Sequence, residues 1–85
     1  MYRVVGKGGF LTLKGRSIYI EHTDKTTGSG EVDRTQLAQS IENGDSANWG
    51  DYRVITNEKE VEFVLDDDKK IVVRKDEILF ALLNA

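Results

Sequence analysis

Histidine occurs once in these 85 residues, and cysteine and proline not at all, so few side chains are equipped for acid–base or nucleophilic work. His22 has Asp24 two residues on and Ser17 five residues back, which invites a nucleophile–base reading. The odd separation of 17 and 22 puts those side chains on opposite faces of a regular strand, so a triad fails on geometry. His22 then remains either a lone general base or a structural group at a strand end. Gly6-Lys7-Gly8-Gly9 brings glycines and a cation together, as a phosphate cradle does. Its spacing departs from nucleotide-triphosphate loops and no Ser or Thr follows the lysine, so it reads as a hairpin loop.

Glu58, Glu60 and Glu62 alternate along one segment and Asp66-Asp67-Asp68 crowds the next turn, a set that a hard cation could use. The central glycine of a calcium loop is missing. With Lys59, Lys69, Lys70 and Arg74 close by, the region reads as a solvated, charge-paired hairpin. The expectation is therefore no metal, no cofactor, no catalytic residue and no enzyme; a small hydrolase or nuclease working through His22 is the competing reading.

A second group of side chains could bind rather than react. Phe10 and Tyr19 alternate in phase with Arg3 and Lys14, and Arg16 follows in the next turn. Rings on an exposed sheet stack unpaired bases while cations hold phosphates, so Arg3, Phe10, Lys14, Arg16 and Tyr19 form a candidate site for single-stranded RNA. The competing expectation is that a helix or the second hairpin covers this face and makes Phe10 and Val5 core. Trp49 and Tyr52, beside a Gly-, Asn- and Asp-rich loop, and Phe80 near the end of the chain are candidate anchors at a protein interface.

The elements that position these groups follow from apolar alternation and glycine punctuation. Strands are expected at 2–5, 10–14 and 17–22 as a three-stranded antiparallel meander. A type II′ turn at Gly15-Arg16 sets Leu13 opposite Ile18 and Leu11 opposite Ile20, and Gly6–Gly9 sets Val4 opposite Leu11 and Tyr2 opposite Leu13. Residues 23–31 read as a flexible connection. A surface helix follows at 33–43, capped by Asp33 with Gln36 three residues on, stapled by Val32 and Leu37, and ended by Gly44. Its apolar stripe is only Leu37, Ala38 and Ile41. Strands at 52–56, 60–66 and 70–74 come next, the last two joined by a three-residue loop, Asp67-Asp68-Lys69, that sets Phe63 against Val73, Leu65 against Ile71, Glu62 against Arg74 and Asp66 against Lys70. Ile78 to Leu83 form a short C-terminal helix, or a strand at a subunit interface. The fold class is a small α+β single domain over residues 1–85, with no internal repeat.

Charge is uneven along the chain. Residues 1–30 carry five cations and two acids, residues 31–68 three and eleven, and residues 69–85 four and two, for a net −3. A weakly acidic chain can thus present a basic face, unless its middle folds back on its ends. No apolar run reaches the roughly 20 residues of a membrane span, and Met1-Tyr2-Arg3-Val4-Val5 lacks the core of a secretion signal, so a cytoplasmic protein is expected.

From Met1-Tyr2-Arg3-Val4-Val5 to Arg74-Lys75-Asp76-Glu77-Ile78-Leu79-Phe80 the chain resembles the small accessory proteins of large T4-like bacteriophages, which are compact, rich in lysine and acids and often free of cysteine. Members of that class bind a host or defence protein and silence it, including inhibitors of RNA-cleaving toxins. The resemblance implies a non-enzymatic regulator acting on a protein partner in the host cytoplasm, and it transfers no functional residue. The alternative is a structural protein that forms a homo-oligomer through its apolar C-terminus.

Overall fold

The computed structural model describes residues 1–85. Strands β1 (Tyr2–Gly6), β2 (Gly9–Lys14), β3 (Ser17–His22) and β4 (Thr27–Glu31) form one antiparallel sheet in sequence order, and helix α1 (Arg34–Asn43) follows. Strands β5 (Ala47–Trp49), β6 (Tyr52–Thr56), β7 (Glu60–Asp66) and β8 (Lys69–Arg74) form the second, followed by α2 (Lys75–Asn84). Four strands and a helix thus occur twice, a repetition of architecture that composition did not reveal. Tyr-Arg-Val opens a three-stranded meander in each half, at Tyr2-Arg3-Val4 and Tyr52-Arg53-Val54. The fourth strand is added behind the first meander and ahead of the second.

The first meander has the expected register: Tyr2 pairs with Leu13, Val4 with Leu11, Leu11 with Ile20 and Leu13 with Ile18. The turn glycine Gly15 has φ 57° and Arg16 stays at negative φ, as a type II′ turn requires. The second hairpin differs. Phe63 pairs with Ile71 and Glu60 with Arg74, two residues away from expectation, and Leu65 is bulged between Val64 and Asp66. Asp66 is the cause, because its carboxylate accepts the Asp68 amide at 2.9 Å and tightens the turn to Asp67-Asp68. From Glu60 to Val64 the shift is two residues and preserves the face of each side chain, so Phe63, Ile71 and Val73 remain core.

Residues 23–31 are the larger correction. Their second half is β4, paired with β3 from Glu21–Thr27 to Ser17–Glu31, where a flexible connection is expected from Thr-Gly-Ser-Gly. Ala47–Trp49 likewise forms β5 where a loop is expected. In α1, the Asp33 carboxylate accepts from the Gln36 amide at 3.1 Å and Gly44 closes the helix at φ 76°. The apolar segment near the end of the chain is a helix rather than an interface strand, and it packs on α1, β1, β7 and β8.

Eighteen buried side chains make one core. The sheets contribute Val4, Leu11, Leu13, Ile18 and Ile20 from one side and Val54, Val61, Phe63, Ile71 and Val73 from the other. Along one seam the sheets are stitched by backbone: Lys7 and Val72 exchange two N–H···O bonds of 2.9 Å. Gly6 makes that approach possible, because a Cβ there would stand 2.2 Å from the Val72 carbonyl oxygen. Gly6→Ala should therefore lower the unfolding free energy by about 2–3 kcal/mol in urea titration. Gly15→Asn, at a turn with open space around it, should change it by less than about 1 kcal/mol.

Candidate functional site

Alternation places Arg3 and Val5 of β1, Phe10 and Lys14 of β2, Tyr19 and Glu21 of β3, and Thr27 and Ser29 of β4 on the outer face of the first sheet. Neither helix nor the second sheet covers this face. Val5 is 67% exposed and Tyr19 47%, which overturns the expectation that a covering element makes Val5 and Phe10 core. Phe10 is half-buried, and the Arg3 guanidinium carbon lies 4.4 Å from its ring centroid. That cation–π contact contributes about 0.5–1 kcal/mol at an exposed site and occupies one face of the ring. Beyond it, Phe10, Tyr19, Glu21, Thr27 and Ser29 line a shallow hollow of about 420 Å³.

Four of the five residues expected to hold RNA, Arg3, Phe10, Lys14 and Tyr19, share this face. Arg16 does not join them; it sits in the turn at the end of the sheet, beside Glu31, Asp33 and Arg34. Thr27 and Ser29 were missed because β4 was missed, whereas Glu21 follows from the parity of β3. A signal was present in the spacing: Gly28 and Gly30 are two apart, the period of one strand face.

Trp49 and Tyr52 are not exposed anchors. Their exposures are 7% and 4%, and their ring centroids lie 5.6 Å apart. Gly50, at φ 58°, and Asp51 turn the chain so tightly that β5 and β6 fold both rings back onto β4. There the glycines make room, since a Cβ on Gly28 would stand 3.2 Å from Tyr52 Cε1 and one on Gly30 3.4 Å from Trp49 Cζ2. The indole N–H donates to the Glu31 carbonyl at 2.9 Å. Phe80 differs, being 52% exposed on α2 with its ring 5.8 Å from that of Tyr2, and Leu83 one turn on is equally exposed.

His22 is buried, with Nε2 2.8 Å from the Tyr52 hydroxyl and the two rings stacked 5.8 Å apart. A substrate has no access to it. Asp24 stands nearby at the surface, where the Thr26 amide that donates to its carboxylate holds its pKa below the ordinary 3.8. Its Oδ2 lies 3.9 Å from Lys69 Nζ. The carboxylates of the second hairpin make separate contacts: Glu62 meets Lys70 at 3.5 Å and accepts from Asn57 at 2.8 Å. No three His, Asp or Glu side chains converge with metal-holding geometry.

Burial pushes the Tyr52 phenol above its ordinary 10.0, reinforced by the negative charges of Asp24 and Asp51. A group whose neutral form the fold prefers contributes stability below its unfolded pKa and loses it as pH rises through the folded value. Unfolding free energy should thus decline from about pH 10 upward, and Tyr52→Phe should flatten that alkaline decline when both proteins are titrated with urea from pH 7 to 11. No protein-family model, curated protein or solved structure matches this chain, so its own geometry carries the functional argument.

Proposed function

We propose that this chain is a non-enzymatic binding protein that docks on a protein partner and modulates it, in the manner of an inhibitor of a toxin or defence factor. The observation that carries the reading is the uncovered outer face of the first sheet, where Val5 and Tyr19 stay exposed on either side of the Arg3-clasped Phe10. Apolar and aromatic side chains left wet on a finished fold mark an interaction surface, and Tyr and Arg are the residue types that anchor interfaces. The burial of His22 against Tyr52 supports the absence of hydrolytic chemistry. A protein partner is favoured over single-stranded RNA on two grounds: Arg3 already occupies one face of Phe10, and Glu21 shares the hollow with Tyr19. Stacking would then rest on Tyr19 alone.

The test is capture from cell extract with tagged parent, Val5→Asp and Tyr19→Ala proteins of matched melting temperature. The parent should retain a protein in a stoichiometric ratio that both variants lose. Retention of nucleic acid, read by absorbance at 260 and 280 nm, or equal capture by all three proteins would overturn the reading.

The homo-oligomer remains a second reading because Phe80 and Leu83 are each 52% exposed beside Tyr2. If it holds, the parent sediments as an oligomer, and Phe80→Asp gives monomers with a melting temperature within a few degrees of the parent, since half of that ring is already wet. A monomeric parent would remove it.

A further inference from the structure

The two sheets meet edge to edge at Lys7 and Val72, but on the opposite side β4 and β5 are both edge strands with no partner beyond them. Between β5 and α1 the surface sinks into a groove of about 560 Å³. We propose that this groove takes an extended, basic segment of a protein partner, which adds as a strand to the free edge of β5. The inference rests on the reading of the chain as a protein-binding molecule, but it uses a surface separate from the Val5 and Tyr19 face.

Backbone geometry supplies the first argument. The two-residue connection Gly50-Asp51 makes Trp49–Tyr52 and Ala47–Val54 the mutually bonded pairs, and leaves Asn48–Arg53 as the wide pair. The N–H and C=O of Asn48 therefore point to the free edge, where an added strand would pair with them. β5 carries neither proline nor lysine nor a bulge, and its protection is its shortness, which leaves the one outward pair of groups on Asn48 for an added strand.

The lining supplies the second. Val32, Leu37, Ala47 and Trp49 give a mainly polar groove its apolar spots, and Glu31 and Asp33 stand at one end with no cation among the lining residues. Neither carboxylate takes part in an ion pair within 4.0 Å. The nearest candidates are engaged or displaced: Arg34 donates to the Ala81 carbonyl at 2.9 Å, and Arg16 lies on the far side of the two acids. Alternation in an incoming strand turns every second side chain to the floor, so apolar residues followed by a lysine or arginine match the surface in order. Charge complementarity thus selects a basic peptide over an acidic one or a second copy of this acidic chain.

The probe is the blocked pentapeptide acetyl-Val-Thr-Val-Thr-Lys-amide, titrated into the full ¹⁵N-labelled chain and followed by amide chemical shifts. The expected result is saturable shifts centred on Asn48, Gly50 and Leu37, weakened about tenfold by Glu31→Lys and abolished when the peptide's lysine is replaced by glutamate. Shifts that centre on Phe10 and Tyr19 instead would overturn the groove and leave the outer-face reading standing. Equal binding of the glutamate peptide, dimerisation through β5 without peptide, or no shift at millimolar peptide would each overturn it as well. Loss of partner capture on Val5→Asp is read separately, so the two surfaces fail independently.

Discussion

Two aromatic rings resting on two glycines hold the side of the fold where no backbone hydrogen bond crosses between the sheets. Trp49 lies over Gly30 and Tyr52 over Gly28; a Cβ at 28 would crowd the Tyr52 ring at 3.2 Å, and one at 30 would just touch the indole at 3.4 Å. Burying each ring contributes on the order of 1.5–3 kcal/mol, a large share of the margin available to a domain of this size. The polar ends of the rings are also satisfied, the indole by the Glu31 carbonyl and the phenol by His22. The lone histidine, the lone tryptophan and one of three tyrosines are therefore committed to closing the structure.

That commitment explains what sequence could and could not show. The register of β1–β3 was legible because alternation and a two-residue turn together leave one consistent pairing, from Tyr2–Leu13 to Leu13–Ile18. β4 was not. Glycine and serine carry the signature of a flexible connection, and the reason for glycine at 28 and 30 lies in rings some twenty residues away. The exposure of Trp49 was misread for the same reason, since its Gly- and Asn-rich setting describes the turn and not the direction in which the turn sends the ring. In β7–β8 the apolar faces were legible although the pairing was not, because the Asp66 side chain sets the turn and alternation alone ignores it.

The candidate site divides along similar lines. Membership of the outer face followed from strand parity, which placed Arg3, Phe10, Lys14 and Tyr19 together. Whether that face is covered depends on where the helices go. Both follow the last strand of their sheet, and α2 packs against β1, β7, β8 and α1. The helices are thus occupied with each other and with the core, and the outer face is left to solvent. Sequence supplied the composition of the face, and packing decided its availability.

Charge is rearranged by the same folding. The run of acids between 58 and 68 does not act as a single pole, because Glu62 meets Lys70 and Lys69, on the same hairpin, reaches across to Asp24. On the outer face Arg3 and Lys14 share their surroundings with Glu21, and Arg3 is drawn over Phe10. Exposed charges of mixed sign are screened within about 10 Å at moderate salt, so this face exerts little attraction at a distance. On the proposed reading, recognition there rests on contact: the ring edges of Phe10 and Tyr19, the branched side chain of Val5, and the fit of the hollow beside them. Two acids without an ion pair lie elsewhere, at Glu31 and Asp33, which face the groove beside β5 on one side and Arg16 and Arg34 on the other. A partner that engaged both would be steered by the acids and held by the rings.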